Sequence, residues 1–169
     1  TSYTVSYSNV NTDCFSDSSS GIPASGTSYT LTGLEEGTQY SITVTASLGG
    51  NSGTLEGSTT ATTLIAAPSA PPSSVRVSVN SSTSITVQWG SVECRHHNGE
   101  ITGYWVRYGV VGSSKEDRSM LMVSRDSGGM ATIVGLSKET VYTVQVAAVT
   151  SSGTGVYTNP LTFETPDSQ

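Results

Sequence analysis

No lysine or arginine precedes Arg76 in this chain of 169 residues, and all seven lie from there on. Asp13, Asp17, Glu35, Glu36 and Glu56 therefore stand uncompensated. The formal net charge is -6. Such a balance argues against nucleic acid, whose binding rests on clustered cations. It leaves a solvated acidic face, or attraction to a basic partner. Cysteine and histidine are equally scarce, two of each. A structural zinc site needs four ligands, usually in paired motifs, and no such pairs occur. No apolar run reaches the roughly 18 residues of a bilayer span, and no signal-peptide pattern is visible. The chain starts abruptly inside a strand-like pattern, as a piece of a longer protein would. Any membrane attachment is expected through a span outside it.

What is abundant is Ser, Thr and Gly. Charged residues make up only 12%, whereas disorder normally carries high charge and few β-branched residues. Val, Ile, Thr and Tyr recur in alternating runs, the mark of short strands joined by many turns. Ala66-Ala67-Pro68-Ser69-Ala70-Pro71-Pro72 reads as a stiff, extended linker over residues 66–72. The segments flanking it are related. Tyr3 to Tyr7 resembles Tyr104 to Tyr108, and Gly33-Leu34 with Tyr40 resembles Gly135-Leu136 with Tyr142. The spacing is about 100 residues, one sandwich domain rather than a solenoid unit.

After the linker, period-2 alternation predicts strands at Val75–Val79, Ile85–Trp89, Ile101–Val111, Ser119–Val123, Ala131–Val134, Val141–Thr150 and Leu161–Thr165. With Trp89 closing the second strand, Ile-Thr-Gly-Tyr-Trp-Val-Arg-Tyr at 101–108, and Gly135-Leu136 followed by Tyr142 in a tyrosine-corner spacing, residues 73–166 resemble a complete fibronectin type III domain. Residues 1–65 resemble the same family from its third strand onward, without the first two strands or the core Trp. The resemblance implies an all-β fold of two tandem immunoglobulin-like sandwiches, the first incomplete. It implies a core containing Leu34, Tyr40, Trp89, Tyr104, Val106, Leu136 and Tyr142. An incomplete sandwich leaves an open edge and half a core uncovered.

Trp105 falls on the face opposite Tyr104 and Val106, next to Arg107. Two readings stay open: a solvent-facing ring stacked with an arginine, or a partner-binding anchor. His96 and His97 follow Cys94 in the loop after Trp89, which reads as an exposed polar loop able to touch a partner. Nucleophilic catalysis would need Cys94 activated by an oriented histidine, and no third group is indicated. No phosphate-cradling glycine motif and no Arg-Gly-Asp tripeptide are present. Asn80-Ser81-Ser82 is an N-glycosylation acceptor pattern. No cofactor, small-molecule substrate or metal is expected.

The resemblance also bears on the cysteines. In this family the loop after the third strand lies at the C-terminal pole and the loop after the second at the N-terminal pole. Cys14 and Cys94 occupy those loops in successive segments, which implies an inter-domain bridge, provided the Cα atoms come within about 7 Å. Pairing of Cys14 outside this chain is the competing arrangement. A bridge would place the protein in an oxidising compartment. The implied function is a non-catalytic extracellular or cell-surface module binding other proteins, as in adhesion proteins and receptors. The alternative is a passive spacer in a larger extracellular protein.

Overall fold

The computed structural model describes residues 1–49, 54–114 and 117–168. The chain divides into two compact units, Thr1–Ile65 and Ala66–Gln169.

The first unit holds one antiparallel sheet. Strands β1 (Ser2–Asn9), β2 (Ser18–Ala24), β3 (Gln39–Ser47) and β4 (Thr54–Thr62) lie in the order β2-β1-β3-β4. β2 reads Ser-Ser-Ser-Gly-Ile-Pro-Ala and carries little strand signal of its own. It is an edge strand, where Pro23 sacrifices no interior ladder bond. Tyr3, Val5 and Tyr7 of β1 pair with Ala46, Val44 and Ile42 of β3, so one face of the sheet is apolar.

The second unit closes a sandwich. β5 (Arg76–Ser81), β6 (Ser84–Gln88) and β9 (Met130–Ile133) form one sheet in the order β5-β6-β9. β7 (Gly103–Val110), β8 (Ser119–Ser124), β10 (Val141–Thr150), the two-residue β11 (Gly153–Thr154) and β12 (Leu161–Glu164) form the other. Its path is β11-β10-β7-β8, with β12 also on β10. The predicted strands fall within a residue or two of these, as hydrogen-bonded ends usually do. Ile85, Val87, Trp89, Val106, Val144 and Val146 pack between the two sheets.

The difference between the units is a missing layer. Ile133 of β9 pairs with Ile85 of β6. Among the described residues, the corresponding stretch of the first unit, around Leu31, pairs with no strand and forms no ladder. Val44 is consequently 42% exposed, whereas Val146, at the same place in the repeat, is fully buried. Leu34 is only half-buried for the same reason, while its counterpart Leu136 lies in the core.

Candidate functional site

Both units carry the same corner. The Ser137 N–H donates to the Tyr142 hydroxyl at 2.8 Å, and the Glu35 N–H donates to that of Tyr40 at 2.9 Å. Tyr40 and Tyr142 are both buried. Trp89 is 7% exposed and tilts against Tyr104 at 5.3 Å. Burial raises the Tyr104 phenol pKa. These are framework residues, and the places where a partner can touch lie elsewhere.

The first such place is the loop after β6. Cys94–His96 forms one 3-10 turn. His97 Nε2 donates to the Val92 carbonyl at 2.9 Å, which anchors that ring inward. His96 instead meets the start of the unit: its Nδ1 lies 3.0 Å from Ser69 Oγ, and its carbonyl accepts from the Ser69 N–H. Ala66 N–H donates to the Asn98 carbonyl, Asn98 Nδ2 donates to the Ala67 carbonyl, and Thr150 Oγ1 donates to the Ala66 carbonyl. Residues 66–69 are thus tied down on the second unit, and both histidines are engaged. Neither cysteine is a free thiol. Asn80 is exposed near the end of β5, with its Nδ2 donating to Thr86 Oγ1 at 2.8 Å.

The second place is the outer face of the β10-β7-β8 sheet. Val106 points inward, so Trp105 and Arg107 point out. Pairing sets Gln145 and Met120 beside Arg107, and Ala147 and Met122 beside Trp105. Trp105 is half-buried. Arg107 stacks on Tyr157, its guanidinium 3.9 Å above the centre of that ring. Tyr157 comes from the irregular segment after β11, which sequence periodicity does not locate. Burial raises its phenol pKa, and Arg107 opposes the rise.

Gln145 is the hub of this face. It is 9% exposed. Its Nε2 donates to the Thr158 carbonyl at 3.1 Å, which fixes which way the amide points. Its Oε1 then accepts from Arg107 Nε at 3.1 Å, Arg107 Nη2 at 2.8 Å and Arg118 Nη1 at 3.0 Å. Arg118 reaches it across Gly109. A Cβ there would stand 2.9 Å from Arg118 Cγ, so the glycine leaves room for the arginine stem. Arg118, Gln145 and Tyr157 were not among the residues the sequence singled out. The available signal was a polar residue interrupting Val144-Gln145-Val146, and Arg118 continuing the outward series of Met122 and Met120.

Among the described residues no group of three His, Cys, Asp or Glu side chains could hold a metal ion. No helix among them is long and apolar enough to cross a membrane.

A family model for the fibronectin type III domain matches residues 1–62 and 70–164. Neogenin of Mus musculus is 36% identical over 152 residues, covering 90% of this chain and 10% of neogenin. Netrin receptor DCC of Homo sapiens is 36% identical over 147 residues, covering 86% of this chain and 10% of the receptor. The chain therefore spans about a tenth of the length of these curated relatives. The solved FN1-FN3 domains of chicken CNTN1 superpose with a TM-score of 0.57 at 22% identity, covering 98% of this chain and 55% of that one. That likeness bears on the fold alone. Family matches fall in each compact unit, and the chain belongs to the fibronectin type III family as two tandem domains of it.

Proposed function

We propose that this chain is a non-catalytic, extracellular protein-interaction segment of a cell-adhesion protein or cell-surface receptor. The observation that carries the reading is the similarity to netrin receptor DCC, which runs through both units at 36% identity. The outer face of β7, β8 and β10 supplies the contact surface in this reading. It combines Trp, Arg, Met and Tyr, residue types enriched where proteins meet. Trp105 and Arg107 are its central contacts, and His96 and His97 belong to a second, smaller candidate surface.

Part of the same reading is a covalent joint, Cys14 to Cys94. Its support is the oxidised state of both residues in a chain that has only two cysteines. Glycan attachment at Asn80 fits the same compartment, and the exposure of Asn80 supports it.

The test is a binding screen. Beads coated with the full chain are mixed with one another and with a panel of secreted and cell-surface ectodomains. A netrin belongs in the panel, because one relative is by name a netrin receptor. Bead clustering or saturable capture of one ectodomain is expected. Failure of all of them would leave a spacer.

A further inference from the structure

Arg107 and Arg118 are two cations sharing one neutral acceptor. Each guanidinium carries five N–H donors and a fixed positive charge, and a carbonyl oxygen offers two lone pairs. Three of their nitrogens crowd onto Gln145 Oε1. Among the described residues neither forms an ion pair. The carboxylate nearest in sequence, Asp117, accepts from the Ser114 hydroxyl instead. Arg125 shows the ordinary arrangement, paired with both Glu100 and Asp126. Holding two like charges on one amide oxygen is unfavourable unless something offsets it.

The cluster is built rather than incidental. Thr158 orients the Gln145 amide, Tyr157 holds the Arg107 plane, and Gly109 clears the path of Arg118. Buried and fixed, Gln145 acts as a spacer that keeps two guanidinium groups side by side.

From this geometry we infer that Arg107, Arg118 and Gln145 form a docking point for one carboxylate side chain, Asp or Glu, of a protein partner. A carboxylate offers about four lone-pair sites to the unused N–H groups and cancels the excess charge. Met120 and Met122, 46% and 50% exposed, adjoin the cluster together with Trp105 and give an apolar floor for the partner residues flanking the acid. A sulfated polysaccharide fits less well. A polyanion needs cations arrayed along its length, and this chain carries 13 acidic against 7 basic residues. The inference rests on the proposed role as a protein-binding segment and names the chemistry of its contact.

The experiment is a titration of the isotopically labelled full chain, followed by the NMR signals of the Arg107 and Arg118 Nε–H groups and the Gln145 side-chain amide. The probes are acetyl-Leu-Glu-Leu-amide, its Gln analogue and a sulfated disaccharide. The Glu peptide is expected to shift these signals saturably, and the Gln analogue to leave them in place. Arg118→Gln should weaken the Glu peptide by roughly tenfold, the loss of one charged hydrogen-bonding group, while Arg118→Lys retains most of the binding. Unaltered dispersion of the remaining amide signals checks that each variant is folded. Equal shifts with the Gln analogue, or no shift with any probe, would overturn the site. A stronger response to the sulfated disaccharide would overturn the protein occupant. Peptide binding needs no native partner, so a saturable shift alongside an empty ectodomain screen would keep the site and remove the adhesion reading.

Discussion

The Tyr40 hydroxyl donates to Asp17 Oδ2 across 2.6 Å while accepting from the Glu35 N–H. Burial first, and then this bond to Asp17, push the Tyr40 phenol from 10.0 up to about 12. A raised folded-state value favours the neutral phenol. Its contribution to stability is therefore complete below pH 10 and is lost as pH rises toward 12. Ultraviolet tyrosinate absorbance of the full chain should show late-titrating tyrosines, and Tyr40→Phe should remove one of them. The variant should also cost the first unit about 1.5–3 kcal/mol, because it strands a half-buried carboxylate. Loss of amplitude near pH 10 instead, with the late phase intact, would show that Tyr40 ionises like an ordinary surface phenol.

Val44 and Val146 occupy the same place in the repeat with opposite burial. Val146→Ala should cost about 2 kcal/mol or more in denaturant unfolding, through a cavity between two sheets. Val44→Ala should cost about 0.5 kcal/mol or less, as at other partly open positions. Both tryptophans lie in the second unit, so their fluorescence reports Val146→Ala selectively. Equal losses at the two sites would mean that the first sheet is covered in solution.

Trp89 packs in the core, and its indole N–H finds no acceptor among the described residues. Trp89→Ala should lower stability by about 3–5 kcal/mol, and Trp89→Phe by much less, since it forfeits no hydrogen bond. Gly129→Ala should be comparably disruptive from the opposite side. Its φ is +73°, and a Cβ would sit 2.5 Å from the Trp89 carbonyl oxygen. Near-native melting of Trp89→Ala would remove the residue from the core.

Non-reducing peptide mapping should recover a Cys14–Cys94 linked pair. The bridge would close a loop of about 80 residues, for which the chain-entropy account gives about 4–5 kcal/mol. Reductant should then lower the unfolding midpoint of the wild type and leave Cys14→Ser/Cys94→Ser unmoved. Two alkylatable thiols in the oxidised protein would exclude the pair.

The second unit was legible because apolar residues recur at every second position of its core strands, even where, as at Val146-Ala147-Ala148-Val149, no polar residue separates them. Val144 and Val146 face in with Gln145 between them, and Trp89 and Tyr142 stand at fixed distances from their turns. β2 and β4 were not legible. Ser18–Ala24 and Thr54–Thr62 are poor in apolar residues and are strands only because β1 and β3 offer them an edge. The outer-face cluster was half visible. Trp105 and Arg107 follow from parity along β7. Tyr157 arrives from a segment without periodicity, and the meeting of Arg118 with Gln145 depends on cross-strand register and on the bare Cα of Gly109.

Residues 66–69 decide where the second domain can be cut. Family similarity resumes only at residue 70, which invites expression from there. Yet Pro68 is buried and lies against Gly155, where a Cβ would meet the Pro68 carbonyl oxygen at 2.6 Å. A chain begun at residue 70 would strip the partners from Asn98 and Thr150 and expose the surface that Pro68 covers. The compact second unit starts at Ala66, four residues ahead of the stretch by which its family is recognised.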